Sequence, residues 1–546
     1  MLLPYYSTLL LLTVTLLYYS CRKSTTRGED RPYHSLSPFR VNRQRLFLLV
    51  IASLLIVLSW WQIVAARTGL VVQSFSRDGI PMLYVAPARS QKMPGVLIAH
   101  GFAGSKQLML GYAYTLAHAG YATMLWDFSG HGANNKPWGR LSLQSDLNIA
   151  YKALLAQPGV DPQRVAVLGH SMGSGVAMTA AIQQSDRFTA TVAISPTKAA
   201  VTPQVPANLQ LQAGNWEPRF VANAQQLLQQ AGGESQGRSL VVIPNAEHIT
   251  ILFRHASHQA AKTWLDRSFG IQNPSNYIDN RMTWYGLHLF AWLLILGAVA
   301  PAISNKTLSQ TPRIWQRFPA GRVSDLLFQA AIQARNSDIV SKSDRLKSWL
   351  GLILSPLGAI GVLALLNRST DIASMGGVLV GGALGIWFYA AGIVWLLANL
   401  RLPRLTLAGL GLGLGLFLLL WVAFGAMAQV VWLQWWLVPV RLQLWLWLSL
   451  LCFPWLLASG IAQQQSRIKI RFIWWLGQSL VLVIGLLATI QILPQIGFIF
   501  LLLPIFPLFL AMFAIASASV KDIWAYAIGC SLFFSWAIAA AFPLVG

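Results

Sequence analysis

The stretch Arg164-Val-Ala-Val-Leu-Gly169-His170-Ser171-Met172-Gly173 decides how the fold is to be understood. Val165–Gly169 is a short, continuous apolar run, the mark of a strand buried on both faces of a parallel sheet. A Gly-x-Ser-x-Gly follows it directly, and helical spacing begins at Ser171. Strand, sharp turn and helix together are the setting in which this pattern carries chemistry. The serine occupies a strained, exposed turn, and the two glycines let neighbouring backbone come close.

The flanking sequence repeats the same alternation. Two short strands in Leu70–Tyr84 are separated by the turn Arg77-Asp78-Gly79. Gly95–His100 is a second buried run, a helical stretch continues to Gly120, and Tyr121–Asp127 is a strand. Residues 142–156 have helical spacing. Strands are predicted at Phe188–Ile194, Leu209–Ala213 and Leu240–Pro244, and helices at Phe220–Ala231 and His255–Phe269. Such alternation predicts an α/β domain, a mostly parallel sheet flanked by helices, with reactive residues at the carboxyl ends of strands.

A serine nucleophile needs a base. Of the histidines in this region, His118 falls on a helix, and His255 and His258 fall in a helical run and are expected at the surface. His248 follows the last strand in Pro244-Asn-Ala-Glu-His248 and is the base by position. The base in turn needs an acid. Four carboxylates lie between Ser171 and His248: Asp186, Glu217, Glu234 and Glu247. Asp186 precedes a strand, Glu234 leads into one, and Glu247 is too close in sequence to reach around to the ring. Glu217, in Gly214-Asn-Trp-Glu217, follows a strand at its carboxyl end and is the expected acid. An oxyanion needs preorganised N–H donors. Met172 supplies one, and Phe102, in His100-Gly-Phe-Ala-Gly-Ser105, is the natural second. Asp127 and His131 are expected to brace a nearby turn, His100 and His170 to be structural neighbours, and Asp146 to be a helix-end charge.

These motifs, with Asp127-Phe-Ser-Gly130-His131-Gly132, resemble the α/β-hydrolase superfamily over about residues 67–270. The likeness is greatest to its lysophospholipase, serine-aminopeptidase and dienelactone-hydrolase-like branches. The resemblance implies an acyl-enzyme mechanism without metal or organic cofactor. Glu217 departs from the pattern, because those relatives usually carry Asp there. Only Ser195–Asn208 separates two predicted strands where many hydrolases insert a lid, so an open site is expected.

The rest of the chain is of another kind. The 546 residues are 55% hydrophobic and 10% charged, which excludes both a single soluble protein and a disordered one. Ten apolar runs of bilayer-crossing length are expected: Leu2–Ser20, Leu46–Ala66, Trp284–Ser304, Trp349–Leu366, Ile372–Leu400, Leu405–Met427, Leu437–Ile461, Phe472–Leu493, Phe498–Ala518 and Ile523–Val545. Leu2–Ser20 lacks a basic n-region and precedes a basic loop, so it is expected to be a retained span and not a cleaved signal. The net charge of +23 concentrates in alternate loops, with seven basic residues in 21–45 and eight in 305–347. Lys and Arg collect on the cytoplasmic side. This alternation predicts both termini and the α/β domain outside the cytoplasm, in what is expected to be a bacterial plasma membrane. It also accounts for the charge without nucleic acid. The 23 Trp are expected at the membrane interface. Cys21, Cys452 and Cys530 are too few and scattered for disulfides or a metal site. Gly409 to Gly415 and Gly377 to Gly385 suit close helix packing. Arg441, in an apolar run, is either a functional charge or a snorkelling one.

The expected organisation is two amino-terminal spans with a basic loop (1–66), an α/β-hydrolase domain (67–283) and a polytopic region of about eight helices (284–546). The expected function is an extracytoplasmic, membrane-anchored serine hydrolase acting on ester or amide bonds of a small-molecule, lipid or peptide substrate at the bilayer. Ser171, His248 and Glu217 are its expected catalytic residues, and Phe102 and Met172 its oxyanion donors. A transporter or channel with a non-catalytic hydrolase-like domain, and an acyltransferase, are the alternatives.

Overall fold

The computed structural model describes residues 43–88, 92–234, 237–271, 275–309, 342–398, 402, 405–463, 468–520 and 522–545. The run Leu2–Ser20, the loop to residue 42, Cys21 and loop residues 310–341 lie outside them.

Eight strands make one sheet: β1 (Leu70–Arg77), β2 (Ile80–Pro87), β3 (Met93–Ala99), β4 (Ala122–Trp126), β5 (Val160–His170), β6 (Ala190–Ile194), β7 (Leu209–Gly214) and β8 (Arg238–Ile243). Their order is β1-β2-β4-β3-β5-β6-β7-β8. Asp78 and Gly79 take positive φ and turn β1 back on β2. β2 pairs antiparallel with β4, and every later pairing is parallel. Parallel neighbours need crossovers. Helices flank the sheet in this part of the chain. They are α2 (Leu110–His118), α3 (Ser142–Leu155), α4 (Met172–Gln183), α5 (Pro218–Gln230) and α6 (His255–Phe269); α1 (Arg43–Ala65) precedes it. Alternate residues of β3 serve opposite faces. Val96 and Ile98 pack with α2 and α6, whereas Leu97 and Ala99 pack with α3 and α4. Burial on both faces explains why β3 and the Val165–Gly169 part of β5 are continuously apolar.

The remaining helices form a bundle: α7 (Arg281–Ser309), α8 (Lys342–Leu366), α9 (Gly381–Leu397), α10 (Leu407–Leu420), α11 (Ala426–Val431), α12 (Pro439–Gln463), α13 (Ile468–Ile492), α14 (Ile505–Val520) and α15 (Ile523–Ala541). A π turn at Trp421–Gly425 joins α10 to α11. Ala52 and Ile56 of α1 pack against Ala291 of α7, so the sheet is inserted between two neighbouring helices.

The expectation of about ten spans is not met. Among the described residues six helices are long and apolar enough to cross a membrane: Arg43–Ala65, Asp344–Leu366, Leu407–Val431, Pro439–Gln463, Lys469–Ile492 and Ile523–Ala541. A seventh is gained if Pro494–Leu502 and Ile505–Val520, bent by 58°, count as one. The bend falls at Leu503-Pro504, inside the run expected to be a single helix. The run Ile372–Leu400 yields a helix of only 17 residues, because Gly376, Gly377 and Val380 at positive φ break the chain ahead of it. Trp284–Ser304 lies within α7, which is not among the six.

Tryptophan also departs from expectation. Trp387, Trp395, Trp455 and Trp474 are fully buried inside the bundle and not ranged at its surface. Large rings fill wide gaps between helices, and two of the four N–H groups have partners: Trp387 donates to Thr489 Oγ1 at 3.0 Å and Trp395 to the Ser348 carbonyl at 2.9 Å. Cys452 and Cys530 are buried free thiols.

The glycine run divides by face. A Cβ on Gly413 would lie 2.9 Å from Ile528 of α15, whereas Gly411 and Gly415 have open space. Gly413→Leu is therefore expected to lower the thermal midpoint of the detergent-solubilised protein, by overpacking worth about 1–3 kcal/mol. Gly411→Leu is expected to leave it unchanged. Equal effects from the two would refute this helix pairing.

Candidate active site

β5 ends at His170 and α4 begins at Met172, leaving Ser171 alone at the turn with φ 51° and ψ −117°. Such a conformation costs a non-glycine residue about 1–3 kcal/mol. The neighbours impose it. A Cβ on Gly169 would lie 2.1 Å from the Gly173 carbonyl oxygen, and one on Gly173 would lie 2.6 Å from the carbonyl oxygens of Ala99 and His100. Strand, helix and the end of β3 are thus in backbone contact, which only glycine permits at both positions.

His248 lies in the loop after β8. Its Nε2 is 3.0 Å from Ser171 Oγ and its Nδ1 is 2.9 Å from Glu217 Oε2. The carboxylate can only accept, so Nδ1 carries the hydrogen and Nε2 is left to accept from the serine. Phe220 stacks on the imidazole at 4.3 Å between centroids, and His170 Nε2–H donates to the His248 carbonyl at 2.9 Å. Ring and backbone are therefore both held. Glu217 follows β7. Its second oxygen, Oε1, accepts from Ser195 Oγ and from the Gly214 N–H, each at 2.6 Å. The structure thus brings Ser171, His248 and Glu217 into one hydrogen-bonded line. Ser195, at the end of β6, was not anticipated. Its signal in the sequence was only its place at the carboxyl end of a strand.

Met172 opens α4, where helix geometry leaves its N–H without an intrahelical acceptor. Phe102 lies in the loop after β3. That loop rests on the serine, since a Cβ on Gly101 would lie 3.2 Å from Ser171 Cβ. Both N–H groups thus belong to segments bordering Ser171.

The surrounding polar groups tie this loop to its neighbour. His100 Nε2 accepts from the Phe128 N–H at 3.1 Å, which puts the hydrogen on Nδ1, 2.7 Å from the Gly101 carbonyl. Asp127 accepts from the Lys106 ammonium at 2.5 Å, the Lys106 N–H at 2.8 Å and the Ala133 N–H at 2.9 Å, all out of water. Lys106 went unnoticed in the sequence, because a surface lysine looks no different. Asp146 is not a helix-end charge. It is buried within α3 and accepts from the Ser129 N–H at 2.7 Å. His258 is not a surface residue either. It is buried beneath α2, where glycine at Gly111 leaves room for its ring, and it donates to the Leu252 carbonyl at 2.8 Å.

Burial pushes the His100 imidazole down to about 4. It also lowers His131, His170 and His258, with neighbouring histidines adding to the effect at His131 and His170. All four fold as neutral rings. For His100 the unfolded chain binds a proton between about pH 6.5 and 4 that the native one does not, and the other three act in the same direction. Stability is therefore full above 6.5 and falls with pH, by up to about 1.4 kcal/mol per histidine per unit. Asp146, raised by burial, opposes this with a single group. The thermal midpoint is expected to be level above about pH 6.5 and to drop from there to about pH 4.5; a profile flat across that window would contradict it.

Residues 91–261 match the family model described as serine aminopeptidase, S33. An uncharacterized protein of Mycobacterium tuberculosis is 34% identical over 91 residues, 17% of this chain and 32% of that one. An uncharacterized protein from the traX-finO intergenic region of Escherichia coli is 32% identical over 114 residues, 19% and 38% of the two chains. The chain therefore spans only about a third of the length of these relatives. Among solved structures, a dienelactone hydrolase from Anabaena variabilis aligns over 36% of this chain and 97% of its own, at 23% identity and TM-score 0.28. A monoglyceride lipase from Saccharomyces cerevisiae aligns over 37% and 96%, at 15% identity and TM-score 0.29. By its family-model match and its own sheet, the part of the chain that carries Ser171 is a hydrolase domain of the α/β-hydrolase superfamily.

Proposed function

We propose that this protein is a membrane-anchored serine hydrolase that cleaves ester or amide bonds through an acyl-enzyme, with its hydrolase domain outside the cytoplasm. The observation that carries the reading is the continuous line Ser171 Oγ, His248 Nε2, His248 Nδ1 and Glu217 Oε2. Ser171 Oγ attacks the substrate carbonyl carbon as its proton passes to His248 Nε2. Glu217 holds the ring in the required tautomer and stabilises the imidazolium. The Phe102 and Met172 N–H groups receive the developing oxyanion. Collapse of the tetrahedral intermediate breaks the bond to the leaving group, which takes the proton from His248. Water, deprotonated by the same histidine, then releases the acyl group and restores Ser171.

Membrane placement is supported by the six apolar helices and by the arrangement of their ends. The sheet joins the chain between the end of α1 and the start of α7, and the basic residues Lys342, Arg345, Lys347, Lys469 and Arg471 fall at the other ends of their helices. The positive-inside rule supports a hydrolase domain on the outer side. An apolar substrate at the bilayer surface is supported by Trp216, the residue before Glu217, which stands open to solvent at 62% exposure.

The test is hydrolysis of p-nitrophenyl butyrate by the full-length protein in detergent. Ser171→Ala is expected to lower kcat by at least about 10³-fold and Glu217→Gln by about 10⁴-fold at most. Ser195→Ala, which strips one donor from the buried carboxylate, is expected to cost about tenfold, in line with the loss of a charged hydrogen bond. Unchanged hydrolysis in Ser171→Ala would end the proposal. Sidedness is tested separately, by labelling intact cells with a membrane-impermeant serine-directed phosphonate. Labelling lost in Ser171→Ala is expected. Labelling only after lysis would keep the enzyme and reverse its orientation.

A further inference from the structure

Arg441 enters an apolar helix and, among the described residues, hydrogen-bonds to backbone carbonyls and to no carboxylate. It is 1% exposed, at the start of α12. Its Nη2 donates to the Gly130 carbonyl at 2.7 Å, and its Nη1 to the carbonyls of Phe542, at 2.7 Å, and Ala539. Gly130 belongs to the loop after β4, in the hydrolase domain; the other two close α15. A guanidinium with this many fixed donors is suited to pinning backbone from separate elements together.

Five further contacts fall on this loop and on the segment that follows β3. The Gly130 carbonyl accepts a second hydrogen bond, from the Leu544 N–H at 2.8 Å, and the Trp138 N–H donates to the Leu544 carbonyl at 2.9 Å. From the loop between α11 and α12, the Gln434 N–H reaches Ser105 Oγ at 3.2 Å, and Gln434 Oε1 accepts from Gln107 at 2.6 Å. Phe498, in the broken segment between α13 and α14, packs edge-on against Phe102 at 4.6 Å. Phe102 also meets His131, the residue after Gly130, at 5.6 Å. Every one of these contacts holds a loop that carries, or leans on, the Phe102 N–H.

Resting on the serine hydrolase reading above, we propose that the helix bundle is a working part of the active site. It fixes the position of the Phe102 oxyanion donor, and Arg441 is the positioning residue that links the two. The bundle then does more than anchor the enzyme. Gly130 requires its φ of +78°, and a Cβ there would lie 2.8 Å from the Leu544 carbonyl oxygen, so the loop and the bundle meet without slack.

A test must separate a displaced oxyanion donor from a smaller fraction of folded enzyme. Full-length protein in detergent is assayed with p-nitrophenyl butyrate and with its thiono analogue, in which sulfur replaces the carbonyl oxygen. A sulfur anion accepts hydrogen bonds weakly, so the oxo-to-thiono rate ratio reports the donors and is independent of the amount of active enzyme. Arg441→Met is expected to lower kcat for the oxo ester about tenfold, short of the 10²–10³ for outright loss of a donor, with KM little changed. The ratio is expected to fall at least fivefold, and Arg441→Lys to restore part of it. A parallel fall for both esters, with the ratio unchanged, would overturn the proposal. Should Arg441→Met fail to fold, Ser105→Ala removes the Gln434 contact from the hydrolase side and is read in the same way, a lowered ratio supporting the proposal and a wild-type ratio overturning it. Failure of the underlying reading looks different: wild type and Ser171→Ala would then hydrolyse the oxo ester equally.

Discussion

The site depends on one close approach, that of Gly173 at the head of α4 to the end of β3. With no side chain on Gly169 or Gly173, two strands and a helix meet backbone to backbone. That contact forces Ser171 into its positive φ and lays the loop bearing Phe102 against the serine. Ser171 and the segment bearing Phe102 are therefore set by a single piece of packing. The strain, about 1–3 kcal/mol, is offset by burial of β3 and β5 on both faces of the sheet.

What could be read in the sequence was whatever is fixed locally or by strand order. Val165–Gly169 was recognisable as a strand because burial on both faces removes polar residues. His248 and Glu217 followed from it, because loops at one edge of a parallel sheet converge. Ser195, Lys106 and Asp146 were not readable in their true places. Each owes its role to a partner 17 to 22 residues away, and a lone serine, lysine or aspartate announces no partner. His258 was misplaced because helical spacing does not say which face of α6 is covered by α2. The membrane-like region was overcounted for a related reason. Apolar composition alone cannot see the breaks at Gly376, Val380 and Leu503-Pro504 that divide long runs into shorter or bent helices.

The least legible feature was the contact between the two halves of the chain. Arg441, Gln434 and Phe498 are distant in sequence from anything they touch in the hydrolase domain. An arginine in an apolar run looks like a channel residue or a snorkelling one. Here it donates to carbonyls at the junction of a helix end and a loop turn. The same region keeps His100 and His131 neutral by burial, so the loop is held by hydrogen bonds and aromatic edges together with the Asp127–Lys106 ion pair.

The insertion of the sheet between α1 and α7 has a consequence in time. Domains fold in order as the chain is made, at about 5–20 residues per second. The whole sheet, with Ser171 and His248, is synthesised before α8 exists. Gly130 then waits for Leu544, 414 residues later by difference of position, on the order of 20 to 80 s at those rates. On the proposed reading, in which the bundle aligns the Phe102 loop, the newborn domain stays dormant until α15 has been made.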